Sequence, residues 1–146
     1  MKVNTRTRVD ISGIEQLNKK AGKLKENLYD ILADAALAGA DIVREDASDR
    51  ARKKSGEMAN GIISKVTWDK RAPVAFAACM MDPAKNDIFI KRSANGKRYY
   101  YPASIEYGHP GAPAYPFMRP AMDSKKAQVR KEIRGRVKQV VEGVRG

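Results

Sequence analysis

Val3, Thr5, Thr7, Val9 and Ile11 alternate with Asn4, Arg6, Arg8 and Asp10, a period of two that predicts a half-buried strand over residues 3 to 11. The period then lengthens. Ser12, Gly13, Ile14 and Glu15 match a capping box, in which the serine caps a free N–H of the first turn and the glutamate reaches back. A helix is therefore predicted from residue 13, ended or bent at Gly22. Leu24, Leu28, Ile31, Leu32, Ala35, Ala36, Gly39, Ile42, Val43 and Ala47 recur at helical spacing, which predicts the longest helix, about 25 to 52. Its small residues, Ala35, Ala36, Ala38, Gly39 and Ala40, admit two readings. They let another backbone approach closely, or they are simply good helix formers at core positions.

From 61 to 101 the pattern turns to β. Ile62, Ile63, Val66 and Trp68 form one set, Val74, Phe76, Ala78 and Met80 a second, and Ile88, Phe89 and Ile90 a third. A turn at 69 to 73 joins the first two. Residues 81 to 87 hold Asp82-Pro83 and no hydrophobe after Met81, so they read as a flexible surface loop. Asn95-Gly96 is a strong hairpin signal between 89–92 and 98–101. Pro102 at a first helical position and Gly108 just past the end bracket a short helix, 102 to 107. Proline and glycine dominate to residue 120, and Val129, Ile133, Val137, Val140 and Val144 then predict an amphipathic helix over about 120 to 143. The expected class is α+β: a long N-terminal helix and a C-terminal helix packed on a small antiparallel sheet of about four strands. At 146 residues the whole chain fits one domain.

The longest unbroken apolar run, Val74 to Met81, is eight residues, far short of the roughly 20 that span a bilayer. No membrane partner is expected. The first residues lack the apolar stretch of a signal peptide, so synthesis and residence in the cytoplasm are the default expectation. One cysteine, Cys79, and one histidine, His109, provide neither an internal disulfide nor a Cys/His zinc site. Cys79 falls in a predicted strand and reads as a buried, inert thiol; His109, beside Pro110 and Gly111, reads as an exposed loop residue. Phosphate-cradling and metal-ligand motifs are missing. With no nucleophile, base and orienter that the sequence brings together, no enzyme, metal or cofactor is expected.

The net charge is +12, but its sign changes along the chain. Residues 26 to 49 carry −6 and residues 123 to 146 carry +5, so the long helix is acidic and the last helix basic. Complementary helices suit packing within a subunit, or contact between copies in a ring with Asp34, Asp41 and Glu45 facing Arg130, Arg134 and Lys138. Two independently solvated faces are the plain alternative. Lys19, Lys20, Lys23 and Lys25, with Arg50, Arg52, Lys53 and Lys54, flank the acidic helix and keep a nucleic-acid-facing surface open.

Tyr99, Tyr100, Tyr101, Tyr107, Tyr115 and Phe117 are six of the ten aromatic residues, gathered in one proline-rich stretch. Aromatics on a stiffened loop lose little entropy on docking and suit an interface anchor. They equally suit the covering of one end of a core. The segment Tyr101-Pro102-Ala103-Ser104-Ile105-Glu106-Tyr107-Gly108, a Pro/Gly spacer, and Pro116-Phe117-Met118-Arg119-Pro120-Ala121 resemble the signature of a tailed-phage neck family. These are the siphophage tail-completion or head-tail joining proteins, similar to the minor tail protein Z group. Gly13-Ile14-Glu15-Gln16-Leu17, the alanine-bearing helix and the basic Lys53-Lys54-Ser55-Gly56-Glu57-Met58 junction also fit. At that junction the family commonly has Ala-Pro-x-Asp-Thr-Gly, of which this chain keeps a hydroxyl residue followed by glycine.

The resemblance implies a non-catalytic virion protein that joins tail to head. It would form a homo-oligomeric ring, six- or twelve-fold, with DNA passing through its lumen. Head-closure (connector) and tail-terminator or tail-tube proteins would be its neighbours. The alternative is a basic nucleic-acid-binding protein. Among the signature residues, Gly108 can take the positive φ that stops the short helix, and Pro116 and Pro120 fix the backbone around Phe117, the candidate anchor. Glu106 is placed either to pair with Arg119, closing the loop as a clasp, or to remain solvated.

Overall fold

The computed structural model describes residues 4–10, 25–53, 55–69 and 74–145. The helix predicted from residue 13, with Lys19, Lys20 and Lys23, lies outside them. The described elements run β1 (Asn4–Asp10), α1 (Lys25–Arg50), α2 (Glu57–Asn60), β2 (Ile62–Asp69), β3 (Val74–Met81), α3 (Asn86–Phe89), β4 (Ile90–Arg92), β5 (Arg98–Tyr100), α4 (Tyr101–Tyr107) and α5 (Met118–Arg145). The class is α+β, with long helices toward both ends and small antiparallel sheets between them. The strands divide into two sheets: a three-stranded one in the order β1-β3-β2, and a separate β4-β5 ribbon.

The central strand β3 is apolar throughout, so sequence alternation could not choose its inner face. Ala75, Ala77, Cys79 and Met81 are buried, whereas Phe76, Ala78 and Met80 are half-buried. This is the opposite parity to the set singled out from the sequence. The reason is steric. Helix α1 lies against β3 and β2 through Ala36, Ala40, Val43 and Ala47, and small side chains on the strand let its backbone come close. The bulkier Phe76 and Met80 take the other face.

Helix α5 lies alongside α1 and antiparallel to it. Ser124 meets Asp46 and Arg50, Val129 and Ile133 meet Gly39, and Val137 and Val140 pack in the cluster of Leu32, Ala36 and Ala40. A Cβ at Gly39 would stand 3.0 Å from both Val129 Cγ1 and Ile133 Cδ1. Close backbone approach is therefore what the small residues of α1 provide, to the sheet on one side and to α5 on the other.

Residues 81 to 87 are ordered, against the loop expected there. Asp82 Oδ1 accepts the Ala84 N–H at 3.0 Å and Pro83 opens a 3-10 turn over Pro83–Lys85, while the Asp82 N–H donates to the Gly61 carbonyl at 2.7 Å. The turn runs directly into α3. Phe89, read from sequence as a strand residue, ends that helix instead and is buried. Its ring lies against Gly61, where a Cβ would collide with it, so glycine is required at 61. The hairpin after it forms where Asn95-Gly96 predicts, with Gly96 at φ +82°.

Candidate functional site

The signature segments meet where α4 reaches the start of α5. Pro102 stands in the first turn of α4, where its missing N–H costs nothing, and Gly108 ends the helix at φ +72°. A side chain at 108 would also stand 2.6 Å from the Ala114 nitrogen. The chain then turns through a His109–Ala112 bridge and comes back. The Tyr115 N–H donates to the Ile105 carbonyl at 2.8 Å, which delivers Phe117 to the start of α5.

There Glu106 is wholly buried. Its carboxylate accepts the backbone N–H groups of Phe117 at 2.7 Å, Met118 at 3.0 Å and Arg119 at 2.9 Å. These are the unpaired donors that open every helix, where the helix dipole also favours negative charge. Glu106 thus caps α5 from a different helix. Arg119 completes the clasp: its Nε donates to Glu106 Oε1 at 3.0 Å and its Nη2 to the Glu106 carbonyl at 2.7 Å. Burial pushes the Glu106 carboxyl up, but the three backbone donors and the Arg119 guanidinium outweigh it and hold the group below its ordinary value. The solvated alternative for Glu106 is set aside.

Phe117, the candidate anchor, takes the core alternative: it is buried and belongs to the core with Met118, Ala121, Cys79, Met81 and Phe89. Three N–H groups fixed on Glu106 hold the backbone at the start of α5, and from there the Phe117 ring packs in this core cluster. Cys79 is likewise buried, its Sγ 4.0 Å from Met118 Sδ, and burial pushes its thiol up to about 12. It is the buried thiol the sequence suggested. His109 is exposed.

Other aromatics remain on the surface. Tyr99, Tyr107 and Tyr115 are 40%, 44% and 48% exposed, enough for all three to meet a partner. The Arg119 guanidinium lies over the Tyr107 ring at 4.7 Å and that of Arg52 over Tyr115 at 4.6 Å. Tyr101 is half-buried, with the Lys91 ammonium 6.0 Å from its ring. Pro116 is exposed and Pro120 half-buried. Nothing in the spacing of Arg52 pointed to Tyr115, because the contact joins the end of α1 to a loop more than sixty residues later.

The charged helices are oriented by their apolar faces. Asp34 and Glu45 on α1 and Arg130, Arg134 and Lys138 on α5 are exposed, with Asp41 half-exposed. Among the described residues every ion pair on these two helices other than Arg119–Glu106 stays within one helix: Arg44 with Asp41 and Glu45, Arg50 with Asp46, Arg136 with Glu132, and Lys138 with Glu142. The α1–α5 seam is apolar, with one polar link where the Ser124 hydroxyl donates to Asp46 Oδ2 at 3.1 Å and receives Arg50 Nη2 at 3.3 Å. Attraction between the two helices is local: burial pushes the Asp46 carboxyl of α1 up, but the Arg50 and Ser124 hydrogen bonds, helped by Lys125 of α5, hold it below its ordinary value.

Among the described residues no group of three or more acidic, histidine or cysteine side chains could hold a metal ion, and no helix is long and apolar enough to cross a membrane. Compared with protein-family models, with curated proteins and with solved structures, the chain finds no match.

Proposed function

We propose that this chain is a structural component of a tailed-phage virion, a tail-completion or neck protein that joins tail to head as a homo-oligomeric ring around the DNA channel. The observation that carries the reading is the clasp. Its two halves, 101–108 and 116–121, are the two halves of the neck-family resemblance, and Glu106 and Arg119 bind them into one rigid unit. A short helix, a returning loop and the start of a long helix are thereby fixed to one another. Tyr107 and Tyr115, each stacked with a guanidinium, form the outer surface of that unit. Pre-organised aromatic and arginine side chains are the residues that anchor protein interfaces at low entropic cost.

The charged helices support a ring of identical copies. Asp34 and Glu45 of α1 and Arg130, Arg134 and Lys138 of α5 are exposed, so they can meet across a head-to-tail boundary, and such heterologous contacts make a ring where the rotation between copies closes. In the finished particle the neighbours would be a head-closure protein on one side and a tail-terminator or tail-tube protein on the other. Made in the host cytoplasm, the protein would end in the virion.

The test is removal of the gene from the phage or prophage that carries it. Electron microscopy should then find DNA-filled heads and finished tails that do not join, and protein supplied from a plasmid should restore joining. Intact virions produced without the protein would overturn the proposal.

A further inference from the structure

The β4-β5 ribbon lies outside the Glu106–Arg119 contacts and the charged helices, and meets the clasp segment only where Lys91 lies 6.0 Å from the Tyr101 ring and β5 runs into α4. Between Ile90 and Tyr100 the chain holds four cations, Lys91, Arg92, Lys97 and Arg98, and no anion. All four are exposed, as is Tyr99. The register sets Arg92 directly opposite Arg98 and Lys91 opposite Tyr99. Like charges facing each other weaken a ribbon, and a pair of three-residue strands has little pairing in reserve.

Other contacts hold it in shape. Ile90 pairs with Tyr100, whose ring meets Phe89 edge-on at 6.3 Å. At the tip, Ser93 N–H donates to the Lys97 carbonyl and Gly96 N–H to the Ser93 carbonyl, both at 2.9 Å. None of the four cations takes part in an ion pair among the described residues. The ribbon is anchored at its base and its tip while positive charge crowds between them, an arrangement that an external anion would relieve.

Helix α5 is longer but a poorer polyanion surface. Asp123, Glu132 and Glu142 are interleaved with its cations, two of the acids pair with Arg136 and Lys138, and the acidic helix α1 lies beside it. A polyanion approaching there meets both signs of charge. At the ribbon it meets one. Strand alternation places Lys91 on one face of the ribbon and Arg92 with Arg98 on the other, which suits a continuous line of phosphates better than a single carboxylate, and a two-stranded ribbon is narrow enough to enter the major groove.

We propose that the β4-β5 ribbon binds the phosphate backbone of double-stranded DNA through Lys91, Arg92, Lys97 and Arg98. The inference deepens the neck reading by naming the element that faces the DNA. It is tested on the free subunit, so its failure and the failure of that reading are distinguishable.

The experiment measures full-chain binding to a fluorescent duplex of mixed sequence across about 0.05 to 0.2 M salt, where each phosphate contact adds roughly 0.9 to the slope of log K against log salt. The variant with Lys91, Arg92, Lys97 and Arg98 all changed to Ala should keep the circular dichroism of the parent and lose about 3 to 4 from that slope. Should it misfold, the milder Lys91→Ala, Lys97→Ala variant should still lose about 2. The Arg130→Ala, Arg134→Ala, Lys138→Ala variant should retain the parent slope. Equal slopes for parent and ribbon variants, loss of binding in the α5 variant instead, or no duplex binding by the parent at about 0.05 M salt would each overturn the proposal. In the last case, binding of the parent to polyglutamate would reassign the ribbon to an acidic protein.

Discussion

A carboxylate can be removed from water only where donors replace the water, and Glu106 has four N–H donors on its two oxygens. Glu106→Ala would leave the three backbone donors at the start of α5 without their acceptor, while the exposed Arg119 guanidinium turns to water, so chemical denaturation should find it less stable by about 1 to 3 kcal/mol. Because the folded carboxyl titrates below its ordinary value of 4.5, its contribution is present in full above that value and is lost as pH falls from there through the lowered folded value. Acid titration of Glu106→Gln, already destabilised at neutral pH, should therefore show a shallower loss of stability below pH 4.5 than the parent. Equal slopes would show that the carboxylate is not held by this cap. Phe117 sits on the adjoining backbone and is buried, so Phe117→Ala should lower stability by about 3 to 5 kcal/mol. A folded subunit of unchanged stability that fails only to assemble would restore the surface-anchor role. Cys79, 1% exposed and with its thiol pushed up to about 12 by burial, should resist thiol reagents at pH 8 until the protein is unfolded.

Elements whose boundaries are set by local chemistry were legible from the chain alone. Pro102 and Gly108 bracket α4, Asn95-Gly96 makes the hairpin, and valines at helical spacing mark α5. What defeated the pattern was β3, because eight apolar residues in succession contain no alternation to read. Its inner face was decided by fit to α1. The Asp82 turn was missed for another reason: the hydrophobe that secures it, Phe89, lies beyond it in sequence and packs on Gly61. Gly39 carries the same lesson between helices. Gly39→Leu should push α5 from α1 and cost about 1 to 3 kcal/mol through overpacking against Val129 and Ile133, read as a lower thermal midpoint. No loss would mean that the seam is looser than its distances indicate.

In the proposed ring the exposed charges of α1 and α5 face other copies. Reversing Arg130, Arg134 and Lys138 to Glu should block ring assembly by purified protein, and reversing Asp34, Asp41 and Glu45 to Lys should block it equally. Mixing the two reversed proteins, in sedimentation or electron microscopy, should give rings in which the variants alternate. Folded variants whose mixture stays unassembled would exclude a contact between these two faces. Rings of the parent should also loosen as salt rises above the roughly 0.15 M physiological range, since exposed pairs are screened.

By itself the sequence determined the α+β class, the approximate limits of β1, α1, β2, β3, α4 and α5 and the position of the hairpin, the opposite charges of the two long helices and the residues of the clasp. Each of these rests on neighbours within a few positions, on spacing along one helix, or on a motif. Tertiary structure alone decided that Glu106 is a buried cap rather than a solvated carboxylate, and that Phe117 is core rather than anchor. It also decided that small residues on α1 meet small residues on β3. These outcomes depend on which surfaces come together, and burial is a property of the pair in contact, which no single stretch of chain contains.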